Sequence, residues 1–65
     1  MRRRDLLKRL EQIAKERGEN FTLVEGGSHT KAFIGPQMIA VPRHREVSES
    51  TAKTILKEAR NGNDD

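Results

Sequence analysis

Apolar residues in the first seventeen positions recur three and four apart. Leu6, Leu10 and Ile13, joined by Leu7 and Ala14, make one stripe. Arg9, Glu11, Glu16 and Arg17 fill the opposite face. That spacing predicts an amphipathic helix over residues 1–17. Asp5 suits the positive end of a helix dipole, whereas Arg2, Arg3 and Arg4 oppose it. The triplet is either a solvated, frayed end or an arm that contacts phosphates. Gly18 is placed to stop the helix.

From Asn20 the pattern changes to strand. Residues 20–25 offer Phe21, Leu23 and Val24 for burial, and Phe, Thr and Val favour extended chain. Gly26-Gly27 makes a turn, residues 29–34 a second strand, Gly35-Pro36 a tight connection, and residues 37–41 a third strand. Pro42 ends that strand because it cannot donate to a ladder. Such short connections predict an antiparallel meander. A basic loop, Pro42-Arg43-His44-Arg45, leads to a second helix over about residues 48–60. Ser48 is its N-cap, and Val47 and Ala52 are placed to form a hydrophobic staple. Ala52, Ile55, Leu56 and Ala59 form its apolar stripe. The polar residues 61–65 read as a disordered tail after a single domain spanning 1–60.

The order is α-β-β-β-α, an α+β class in which both helices cover one face of a three-stranded antiparallel sheet. The other face stays open. Alternation along the second strand sends Thr30, Ala32 and Ile34 to the helices, and His29, Lys31 and Phe33 to the open face. An open-face Phe33 reads as part of a docking surface, with Met38 or Ala40 as a further apolar residue spared from the core.

Composition narrows the possible functions. With 65 residues and 32% apolar content, the core is small. There is no Cys, so disulfides and thiolate metal sites are excluded. The longest apolar run, Met38 to Val41, is too short for a membrane span or a signal-peptide core. Basic residues outnumber acidic ones 13 to 10. The net +3 becomes +5 when Asp64 and Asp65 are set aside, and this balance points to a polyanionic partner. Two Phe and no Tyr or Trp rule out a platform of several stacked bases.

Candidate chemistry is sparse. His29 and His44 are the two histidines, and they lack the spacing of metal ligands, so no metal site is expected. His29 follows a Gly-Gly-Ser turn and opens a strand. It is either a surface histidine in a hairpin or a general acid–base group, since imidazole titrates near neutrality. Lys31 lies two residues on, as an ordinary strand lysine or a phosphate partner for His29. Arg43, His44 and Arg45 form a plain connecting loop or a phosphate-binding loop beside a helix N-terminus.

Three segments together carry a family resemblance. They are Gly26-Gly27-Ser28-His29 leading into a strand, then Val41-Pro42-Arg43-His44, then the helix Thr51-Ala52-Lys53-Thr54-Ile55-Leu56-Lys57. The chain resembles HicA-type toxins over residues 3 to about 60. These are small bacterial mRNA interferases of type II toxin–antitoxin pairs. The resemblance implies a fold like that of double-stranded-RNA-binding domains, in agreement with the order read above. It implies that His29 is catalytic, that Gly27 and Ser28 form the turn presenting it, and that Pro42, Arg43 and His44 are the family's Pro-Arg-His segment. It also implies mRNA cleavage in the bacterial cytoplasm, without metal or other cofactor. A HicB-type antitoxin would cover the active face and bring the toxin into a larger assembly. Many members carry an aromatic three residues after the histidine. Here that position is Ala32, and Phe33 follows one later, which sets the family pattern against strict alternation.

The mechanism so implied is transfer of the phosphoryl ester to the neighbouring 2′-OH. His29 would move the proton, and Lys31, Arg43 and Arg45 would stabilise phosphate charge. The alternative is a non-catalytic RNA-binding module of double-stranded-RNA-binding type, held by Lys/Arg contacts. A third class is a domain whose open face binds only protein.

Overall fold

A computed structural model describes residues 1–62. Five elements follow in order: α1 (Arg3–Glu16), β1 (Phe21–Val24), β2 (His29–Ile34), β3 (Gln37–Pro42) and α2 (Glu49–Asn61). The strands form one antiparallel sheet in the order β1-β2-β3. This is the expected α-β-β-β-α domain, arranged like a double-stranded-RNA-binding domain.

Burial along β2 alternates without interruption. Thr30, Ala32 and Ile34 are buried, whereas His29 and Lys31 are exposed and Phe33 is half-buried. No bulge intervenes, so the alternation holds and Phe33 lies on the open face. Register carries the pattern across the sheet. Ala32 pairs with Ile39 and Thr30 with Val41, so the buried rows of β2 and β3 face the same way. They meet Leu6, Leu10, Ile13 and Ala14 of α1, and Ala52, Ile55 and Ala59 of α2, in one cluster. Leu56 packs at the margin of this cluster. Both Met38 and Ala40, not one of the two, are exposed on the opposite face.

β1 buries less than its sequence offers. Leu23 and Val24 are 41% and 45% exposed, and only Phe21 packs against the core. The strand is four residues long and has a neighbour on one side only. Val24 pairs with Lys31, which puts it on the uncovered face.

The N-terminal arginines are not a frayed end. Arg2 is extended and bridges antiparallel to Glu46. Arg3 N–H donates to the Arg45 carbonyl at 2.8 Å, and Val47 N–H donates to the Met1 carbonyl at 2.8 Å. Backbone bonding to the loop before α2 therefore starts the helix at Arg3 rather than Met1. At the other end, Arg17 Nη1 donates to Gln37 Oε1 at 2.7 Å and to the Ala59 carbonyl at 2.8 Å. Gln37 Nε2 donates to the Glu58 carbonyl at 2.9 Å. These bonds satisfy two carbonyls of the last turn of α2 and tie both helices to β3.

Ser48 caps α2 as expected, accepting from Thr51 N–H at 3.3 Å. Val47 and Ala52 are both buried in the core, where a staple requires them. The helix continues through Asn61 and is capped by Gly62. Those two residues are therefore structured rather than part of a polar tail. Positions 63–65 lie outside the described residues.

Candidate nucleic-acid interface

Two basic regions meet near the turn between β1 and β2. The first is the open face of the sheet. His29 and Lys31 project from it two residues apart, a spacing of about 6.6 Å along a strand. His29 pairs with Pro42, and Lys31 lies between Val24 and Ala40. Their surroundings are therefore apolar and short, which leaves both head groups accessible. Ser28 Oγ lies 3.1 Å from His29 Nδ1, so the imidazole can be oriented with Nε2 free for a ligand.

The turn presenting His29 is fixed by a residue the sequence did not single out. Glu25 stands where β1 ends, and its carboxylate gathers three partners. Thr30 Oγ1 donates to Oε1 at 2.8 Å. Arg43 Nη2 lies 3.6 Å from Oε1, and Arg3 Nη2 lies 3.4 Å from Oε2. The Thr30 hydroxyl bond, with the attraction of Arg3 and Arg43, holds the Glu25 carboxyl below its ordinary pKa. Partial desolvation opposes the shift and is outweighed.

Arg3 also donates to Thr30 Oγ1, and through Nε to the Pro42 carbonyl at 3.2 Å. Thr30 is fully buried, and these bonds satisfy its hydroxyl inside the core. Arg43 Nη1 donates to the Gly27 carbonyl at 2.8 Å. Gly27 has φ +68, a left-handed conformation that a side chain would strain. Gly27 and Arg43 are thus parts of the scaffold around His29, beyond any contact they make with a ligand. Only pairing across the fold identifies Glu25, because its partners come from three separate segments.

The second region is a groove at the start of α1. It has a volume of about 760 Å³ and is lined by Arg2, Arg3, Arg4, Arg43, Arg45 and Glu46. Arg43 and Arg45 therefore line one groove with the N-terminal triplet, and Arg43 also reaches the turn before His29. Neither His29 nor Lys31 lines the groove. His44 is exposed in the bend between the two regions, and no hydrogen bond joins it to His29. Among the described residues, no three His, Asp or Glu side chains are grouped to hold a metal ion. No helix among them is long and apolar enough to cross a membrane.

Fold and surface together define a small α+β domain equipped to bind nucleic acid. No family model, curated protein or solved structure matches the chain.

Proposed function

We propose that this chain is a HicA-type ribonuclease that binds mRNA and cleaves it through His29. The observation carrying this reading is an accessible imidazole at the first position of β2, beside Ser28, with Lys31 on the same face. His29 takes the proton of a ribose 2′-OH. The freed oxygen attacks the adjacent phosphorus, and the bond to the 5′ oxygen breaks. The products are a 2′,3′-cyclic phosphate and a 5′-OH; the leaving 5′ oxygen takes its proton from solvent, and the His29 imidazolium returns its own to solvent. Lys31 offsets the charge on the phosphate oxygens. A HicB-type antitoxin then restrains the protein by covering the open face, where Val24, Phe33, Met38 and Ala40 surround the two basic residues.

Wild type and His29→Ala are compared on the same RNA. Cleavage falls by about two to four orders of magnitude, because His29 is the proton-transfer group. A folded variant that still cut RNA at the wild-type rate would overturn the reading.

The second reading is an RNA-binding module without chemistry. It is favoured by the double-stranded-RNA-binding-like order of elements and the arginine-lined groove, neither of which needs chemistry at His29. It predicts RNA affinity that falls steeply with salt, no cleavage by wild type, and indifference to His29→Ala.

A further inference from the structure

The groove at the start of α1 is built unlike a protein-docking site. All six residues lining it are charged, and five are arginines. Protein interfaces carry an apolar or aromatic centre with the charges at the rim. Interfaces with nucleic acid are polar and strongly positive. Guanidinium groups also match phosphate oxygens in a two-bond fork.

The charge around the groove is incompletely balanced. Arg2 lies 3.9 Å from Glu46, and Arg4 lies 4.0 Å from Asp5. Arg3 and Arg43 share Glu25. Arg45 has no side-chain partner among the described residues. Five guanidiniums thus face three carboxylates. The pairs of Arg2 and Arg4 are long and exposed, so an incoming anion displaces them at little cost.

Position supplies the second argument. Arg43 both lines the groove and, through Nη1, bonds the Gly27 carbonyl two residues before His29. Arg43 thus makes the groove continuous with the surface at His29, along which a bound strand can extend.

We infer that this groove is a separate RNA-backbone site, holding phosphates of the strand beyond the one at His29. The inference rests on the RNA-acting reading above, but not on cleavage. It assigns Arg2, Arg4 and Arg45 to contacts that add affinity without reading sequence.

The test uses a fluorescent, fully 2′-O-methylated oligonucleotide, which lacks the 2′-OH nucleophile and cannot be cut. Its Kd is measured by anisotropy over a range of salt concentrations. On a single strand, each phosphate that a cation neutralises adds about 0.7 to the slope of log K against log salt. Arg45→Ala is expected to lower the slope by about 0.7, and Arg2→Ala/Arg4→Ala/Arg45→Ala by about 2. Arg45→Ala breaks no ion pair, so it remains informative if the triple variant folds poorly. Slopes and affinities equal to wild type would overturn the inference. So would loss of poly-glutamate binding with RNA binding intact, which would make the groove an acidic-peptide site. A wild-type protein that bound this probe and cut no ordinary RNA would sink the nuclease reading and leave the groove standing.

Discussion

Arg43 and Gly27 are sixteen positions apart, and the Arg43 guanidinium donates to the Gly27 carbonyl at 2.8 Å. The loop after β3 thereby holds the loop before β2. The same side chain reaches Glu25, so the turn is gripped at both shoulders. The pose of His29 depends on a residue that follows β3.

Arg43→Lys is therefore not a conservative change. Lysine keeps the charge but lacks the planar fork that serves Gly27 and Glu25 together. Because the site is half-exposed, the stability loss is expected to stay below about 1 kcal/mol. Backbone order parameters over residues 26–29 are expected to fall while those of β3 stay unchanged. Unaltered order in that loop would show that Arg43 does not hold it.

Glu25 makes stability depend on pH. Its carboxyl titrates lower in the folded chain than in the unfolded one. Between the two values the unfolded chain binds more protons, so stability rises with pH there. The contribution is complete above about pH 4.3, the unfolded glutamate value, and is lost as pH falls through the lower folded value. Melting curves taken between about pH 5 and pH 3 are expected to fall more steeply for wild type than for Glu25→Gln. Thr30→Val removes the first cause of the shift. The Glu25 titration midpoint, followed by carboxyl carbon NMR, is expected to rise in that variant.

Gly35 joins β2 to β3 with φ +58, and a Cβ there would collide with the Glu19 carboxylate. Gly35→Ala combines a left-handed strain with a clash that Glu19 relieves by swinging away. Urea unfolding is expected to report a loss of about 1–3 kcal/mol, the cost of a strained backbone residue. Adding Glu19→Ala is expected to recover only part of that loss, because the strain remains. Full recovery would assign the whole effect to the clash.

Leu10 is fully buried where α1 meets the core. Leu10→Ala is expected to cost about 2–5 kcal/mol. A chain of this size has about 3–10 kcal/mol in total, so the loss is a large share of its stability and the variant is expected to melt well below wild type by circular dichroism. A melt close to wild type would mean that the helix–sheet contact contributes little.

The parts of the fold legible in the sequence depend on local periodicity. Leu6, Leu10 and Ile13 mark α1, Ser48 marks the start of α2, and Thr30, Ala32 and Ile34 identify the covered face of β2. The misjudged parts depend on distant partners. Leu23 and Val24 have strand-forming character, but their exposure follows from β1 being a short edge. Arg3 reads as one of three solvated cations until Thr30, Glu25 and Pro42 gather around it. Of the expected site residues, His29 and Lys31 do share a face. Arg43 and Arg45 also line a groove with Arg2–Arg4, because Met1 to Arg3 bonds along the loop from Arg45 to Val47. No spacing rule connects segments more than forty positions apart.

The unbroken alternation of β2 gives the turn before it a parity. His29 and Lys31 occupy odd steps along the strand, and Thr30, Ala32 and Ile34 occupy even ones. Adding a single residue within β2 just after Lys31 would carry Ala32 and Ile34 to solvent, or else drive His29 and Lys31 into the core. Two added residues would restore the faces. Insertions in this segment are therefore constrained by oddness or evenness as well as by length, and the basic face tolerates change only in pairs.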